Sequence, residues 1–195
     1  MGGGIIGGIS NLFGGIDPIE LIAQGFGIIG LVIIVLSFQF KKNSTFFLMQ
    51  ALGGSMFFLN FILIGAWAGA FFNLCCLVRG MLFMKNAKKV WKLVVVECAF
   101  VGCFVFSLFL NHDPLQIFLA ALPCVALMIL SVYMWKGNTK HIRWCQITCS
   151  SPAWIVHNVH PSHFTMGGLI CECFNIISSI IYLVRLRIEE KNEQA

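Results

Sequence analysis

Residues 143–158 read RWCQITCSSPAWIVHN, and where this segment sits decides the fold. It is apolar enough to enter a bilayer, yet it carries Gln146, Ser150, Ser151, Pro152 and His157. On a helix, Gln146, Ser150, Ala153 and His157 fall on one stripe, because residues three and four apart share a face. A stripe of small and polar groups belongs against other helices or a cavity. Pro152 frees a backbone carbonyl and permits a kink that can serve as a hinge.

The surrounding chain is 58% hydrophobic and only 11% charged, with a mean hydropathy of +0.88. Soluble domains carry roughly 25% charged residues. Seven apolar runs, at about 19–40, 45–64, 66–84, 90–110, 115–135, 141–159 and 164–187, have the ~20 residues that cross ~30 Å of hydrocarbon as a helix. None has the charged outer face of an amphipathic soluble helix, and the alternation of a β-barrel is missing. The composition therefore implies an all-α, polytopic membrane protein with seven transmembrane helices.

Threading those spans through a bilayer puts every Lys and Arg on one face: Lys41 and Lys42, Arg79 to Lys92, Lys136 to Arg143, and Arg185, Arg187 and Lys191. Asp17, Glu20, Asp113 and four of the five histidines fall on the other. Basic residues near span ends stay cytoplasmic, so the N-terminus is expected outside and the C-terminus inside. Arg79 and Lys92 are expected to snorkel to that face. The net charge of +5 then reports topology, and no basic run is dense enough for nucleic acid. The opening MGGGIIGGISNLFGG lacks the basic start of a signal peptide and fits neither a myristoylation nor a phosphate-loop pattern. It reads as a lead-in, residues 1–18. All nine cysteines fall inside spans, where thiols serve as small buried hydrophobes.

The chain also repeats itself. An offset of 96 sets Gln50 over Gln146, Gly54 over Ser150, Ser55 over Ser151 and Phe58 over Trp154, with FKKNS near WKGNTK. Allowing three more residues before span 7 lays GAFFN (69–73) over GLICE (168–172), so Asn73 meets Glu172 and Phe83 meets Tyr182. A three-span unit ends on the opposite side from where it begins, so a single extra span between two units makes them parallel. The span at 90–110 fits that role, giving a 3+1+3 plan: units at 19–84 and 115–187, a linker helix at 90–110 and a cytoplasmic tail at 188–195. Parallel repeats about an axis along the membrane normal are the SWEET arrangement.

The sequence of a basic turn, a helix with Gln50 to Ser55 or Gln146 to Ser151, an aromatic second half, and Asn73 or Glu172 early in the next helix resembles the YgjV family of bacterial inner-membrane proteins. That family is itself similar to the SWEET and PQ-loop transporters. The resemblance covers about residues 19–187 and implies a location in the bacterial inner membrane and a small-solute transporter with its site between the third helices of the two units. Met49 and Cys145, however, stand where the PQ-loop group has proline, and only Pro123 and Pro152 could act as kinking prolines, so a sugar substrate does not follow.

By that similarity Asn73 with Glu172 or Asn175 would flank the solute, with Gln50, Gln146 and Trp154 as further binding residues. Trp144 and Trp154 are expected nearer the two interfaces. Taken singly, Gln50 and Gln146 also suit interhelical hydrogen bonding. A carboxylate near mid-membrane costs about 2.5–3.5 kcal/mol, so Glu172 should face a cavity, a partner or a proton, which it could pass to transport. Glu97, in the linker span, is expected in a structural pair, with Lys92 or another helix. HNVHPSH places His157, His160 and His163 at intervals of three, a spacing open to zinc or copper. It matches no standard zinc pattern, Pro161 breaks the helix, and it reads as a polar loop. With no H-E-x-x-H, no G-x-S-x-G and no Asp pair on one face, no enzyme and no cofactor are indicated. The expected partners are the lipid bilayer and a small solute, not nucleic acid, and a homo-oligomer is left open. The competing reading is a non-transporting structural or regulatory membrane protein.

Overall fold

In the computed structural model, residues 17–37, 43–84, 89–110, 112–137, 139–161 and 164–193 are described. The Gly-rich lead-in, the lysine pair at 41 and 42, and His163 lie outside them. Helix α1 is Pro18–Ser37, α2 Asn43–Leu63, α3 Trp67–Met84, α4 Val90–Leu110 and α5 Pro114–Lys136. Helix α6 runs Thr139–Cys145, widens to a π turn over Gln146–Ser150 and continues through Ser151–Val159, and α7 is Met166–Asn192. No strand occurs among the described residues.

Each terminus follows from local chemistry. Asp17 accepts from Ile19 N at 2.9 Å, and Asp113 from Leu115 N at 3.1 Å, so α1 and α5 both open with a capping aspartate before proline. The two Asp-Pro pairs stand 96 residues apart, a further repeat match that the sequence reading overlooked. The α2–α3 turn closes on Gly65 at φ +74°, with Ala66 N donating to Phe61 O at 2.9 Å. Gly137 at φ +73° ends α5 in the same left-handed conformation. Thr165 caps α7 through Gly168 N.

Six helices close into a ring in the order α1, α2, α3, α5, α6, α7, and α7 returns to α1. Helix α4 packs on α3 and α5 through the stripe Lys92, Val96, Phe100 and Ser107. Outward faces are apolar, as with Ile28, Ile29 and Val32 on α1 and Ile177, Ile181 and Val184 on α7, an exposure that suits hydrocarbon and not water. Helices α1, α4, α5 and α7 are each long and apolar enough to cross a membrane. The apolar parts of α2 and α3, Leu48–Leu63 and Trp67–Phe83, are shorter, and α6 is interrupted by its π turn.

The ring closes through glycine. A Cβ on Gly167 of α7 would collide with the Gly27 backbone of α1, and one on Gly30 would meet Gly53 O at 3.1 Å, the close approach that small residues permit in membranes. Gly167→Ala is expected to cost about 1–3 kcal/mol of overpacking, read as a lower melting temperature in detergent at roughly 2–4 °C per kcal/mol. Gly102→Ala, where a Cβ would meet no neighbouring helix or side chain within 4 Å, should melt no lower than the parent, since alanine is favoured over glycine inside a helix.

Candidate functional site

A cavity of about 110 Å³ lies inside the ring. Helix α2 lines it with Gln50, Gly54, Phe57 and Phe61, and α6 with Gln146, Ser150, Trp154 and Asn158. The first two positions on each helix keep the offset of 96; the last two have moved to 97. The cause is the π turn, where Ser151 N bonds to Gln146 O, five residues back. Pro152 has no N–H to donate, and its ring would strike the carbonyl of Thr148 in a regular helix. The widened turn removes that clash by inserting one residue.

One inserted residue turns the rest of the helix by about 100°, which corrects two expectations. His157 leaves the stripe that it was expected to share with Gln146: it is fully buried, with Nδ1 3.2 Å from Leu119 O of α5. Trp154 stands opposite Phe57 instead of Phe58. It is buried, tilted on Phe61 at 5.8 Å and edge-on to His157 at 5.5 Å, while Trp144 is exposed.

Helix α3 adds Asn73, Cys76 and Arg79, and α7 adds Gly168, Glu172 and Asn175. Asn73 and Glu172, like Cys76 and Asn175, stand 99 residues apart. All six residues that the sequence put forward (Gln50, Asn73, Gln146, Trp154, Glu172 and Asn175) therefore border one cavity. Gln50 Nε2 donates to Ser37 Oγ of α1 at 2.8 Å, and Asn73 Nδ2 to Gly69 O of its own helix at 2.9 Å. Asn175 Nδ2 donates to Glu172 Oε2 at 3.2 Å, and the Ser151 hydroxyl is close enough to act on the same carboxyl.

Sequence reasoning missed Arg79. Rather than snorkelling, it is 8% exposed and folds inward: Nη1 donates to Ser131 Oγ of α5 at 3.1 Å, and Nη2 reaches Cys76 Sγ at 3.6 Å. The guanidinium lies 5.9 Å from the Phe100 ring centroid. Its place beside Asn73 and Cys76 on the inner face of α3 was readable from helical spacing; basic residues clustered after it suggested the span end instead. Lys92 is also buried, with Nζ donating to Leu82 O, a carbonyl in the last turn of α3, at 2.6 Å. Glu97 thus has no direct pair with Lys92. Its carboxyl lies in the field of Arg79, and both its oxygens are buried without a hydrogen bond.

Among the described residues no three His, Cys, Asp or Glu side chains converge as metal ligands; His160 is half-buried at the end of α6. All nine cysteines are free thiols. A wider hollow of about 430 Å³ between α6 and α7, bordered by Lys140, Trp144, Arg187 and Glu190, touches none of the six residues above.

Compared with known proteins, residues 21–190 match the family model Imp-YgjV, described as bacterial inner membrane protein. No curated protein and no solved structure matches the chain.

The Gln50–Ser37 bond ties the cavity wall to α1. A double-mutant cycle of Gln50→Ala and Ser37→Ala, read as unfolding free energy in detergent, should give a coupling of about 0.6–1.7 kcal/mol. Strict additivity would mean that the bond carries no stability.

Proposed function

The chain belongs to the Imp-YgjV family of bacterial inner-membrane proteins, and from that premise we propose that it carries a small solute across the membrane by exposing its central cavity to the two sides in turn. The observation that carries the reading is the cavity itself. It is lined by paired positions from two similar units: Gln50 with Gln146, Gly54 with Ser150, Asn73 with Glu172. Polar groups inside a bilayer are costly and mark solute or ion paths.

The helix contacts support a 3+1+3 plan. Exchanging α1, α2, α3 with α5, α6, α7 maps the ring onto itself: α3 on α5 becomes α7 on α1, and each middle helix touches both others of its unit. Helix α4 alone has no counterpart, as a linker would not. In this reading the two units rock about the midplane cavity, and the π turn of α6, a widened stretch common at functional sites, is where the second unit bends. In the same reading the distribution of basic residues favours a cytoplasmic C-terminus and an outer N-terminus.

The second reading, a structural protein without transport, is favoured by Gln50 and Asn73 spending amide donors on their own unit. A thermal-shift screen with a solute panel on purified protein, run beside Glu172→Gln and Asn73→Ala, separates the two. Under transport, a solute at ten times its dissociation constant raises the wild-type melting temperature by roughly 3–6 °C and leaves both variants unmoved. If no solute acts while both variants melt lower, the polar residues are packing elements and the structural reading stands.

A further inference from the structure

Arg79 is a cation nine-tenths buried in an apolar bundle, and none of its hydrogen bonds goes to a carboxylate. Burying a charge is expensive unless it is paired and hydrogen-bonded. The guanidinium is held at one corner only, where Nη1 donates to Ser131 Oγ and lies 3.5 Å from Leu127 O. Along its other edge, Nη2 has the weak sulfur contact with Cys76, and Nε is buried with no hydrogen-bond partner. That Nε/Nη2 edge is the planar two-donor fork that matches a carboxylate. Arg79, Cys76 and Leu127 all border the cavity.

Resting on the reading of this cavity as a solute site, we infer that Arg79 is its anion anchor and that the solute is a small organic carboxylate, held at the Nε/Nη2 edge. Two features set the site's polarity. The register that lays Asn73 over Glu172 lays Arg79 over Ser178, so one unit supplies the cation and the other the carboxyl, and a solute with two unlike ends is oriented between them. Glu97 does not serve as the internal anion. It is on α4, does not border the cavity, and acts on Arg79 only through space. It offsets the charge in part and leaves Arg79 Nε without a hydrogen-bond partner. The cavity's ~110 Å³ limits the solute to a short acid or a small amino acid.

The test needs no variant for its main arm. Wild-type protein in detergent is melted with acetate, propionate, glycine or alanine, with acetamide and propionamide as uncharged shape matches, and with phosphate and chloride as general anions. At ten times the dissociation constant a carboxylate should raise the melting temperature by roughly 3–6 °C while its amide gives no shift. Glycine or alanine acting more strongly than the simple acids supports the inference and adds Glu172 as the partner of the ammonium end. Arg79→Lys, which keeps the charge but loses the fork, should weaken the response at least tenfold in concentration. Glu97→Gln should keep it. Amides as effective as acids, or phosphate and chloride as effective as carboxylates, overturn the inference. If neutral solutes alone stabilise the protein, with an equal effect on Arg79→Lys, the anion anchor is lost and the solute cavity survives. If nothing in either panel shifts the wild type, both fall.

Discussion

Hydrocarbon offers no hydrogen bonds, so every polar group carried into a bilayer must be satisfied by the protein itself. The arrangement of this chain follows from that constraint. Asn60, fully buried, donates to Ala23 O of α1 at 2.7 Å, Ser131 donates to Leu127 O at 2.7 Å, and Gln24 bridges Phe164 O and Met166 N. Large apolar residues cover the outside as well as forming a core around Phe61, Phe72 and Phe100, and small or polar ones share the interior with that core. Glycine then lets the helices approach closely enough for these bonds: α1 meets α7 at Gly27 and Gly167, and α2 at Gly30 and Gly53.

That satisfaction is incomplete at several places among the described residues: Asn60 Oδ1, Trp135 Nε1 and Ser179 Oγ, as well as Arg79 Nε, both oxygens of Glu97 and Asn158 Oδ1, are buried without hydrogen bonds, and of these six residues Arg79 and Asn158 border the cavity. A packing interior has reason to eliminate such groups, since each costs about 1–3 kcal/mol. A solute-handling interior has reason to keep them, because a passing solute can satisfy them in turn.

The two halves carry matching features and differ in detail. Each opens its first helix with Asp-Pro and lines the cavity with glutamine at the same height. Only the second contains Pro152, and its consequence is the π turn that brings Trp154 and Asn158 to the cavity and sends His157 to α5. A continuous α2 and an interrupted α6 line the cavity from two sides.

Composition and run length alone were enough to specify a membrane protein of seven helices, because the thickness of hydrocarbon and the rise of a helix leave little choice. The repeat offset was also legible, and with it the grouping of Gln50, Asn73, Gln146, Trp154, Glu172 and Asn175, since helical spacing decides which residues can share a face. Three features were decided only by the tertiary structure. The extra residue of the π turn depends on how the chain relieves the proline clash, which a fixed period cannot express. Arg79 points inward because Ser131 and Leu127, about fifty residues away, receive its donors. Glu97 has no hydrogen bond, while Lys92 on the same helix donates to the carbonyl of Leu82. In each case a side chain had two chemically sound choices, and the packing of distant helices selected between them.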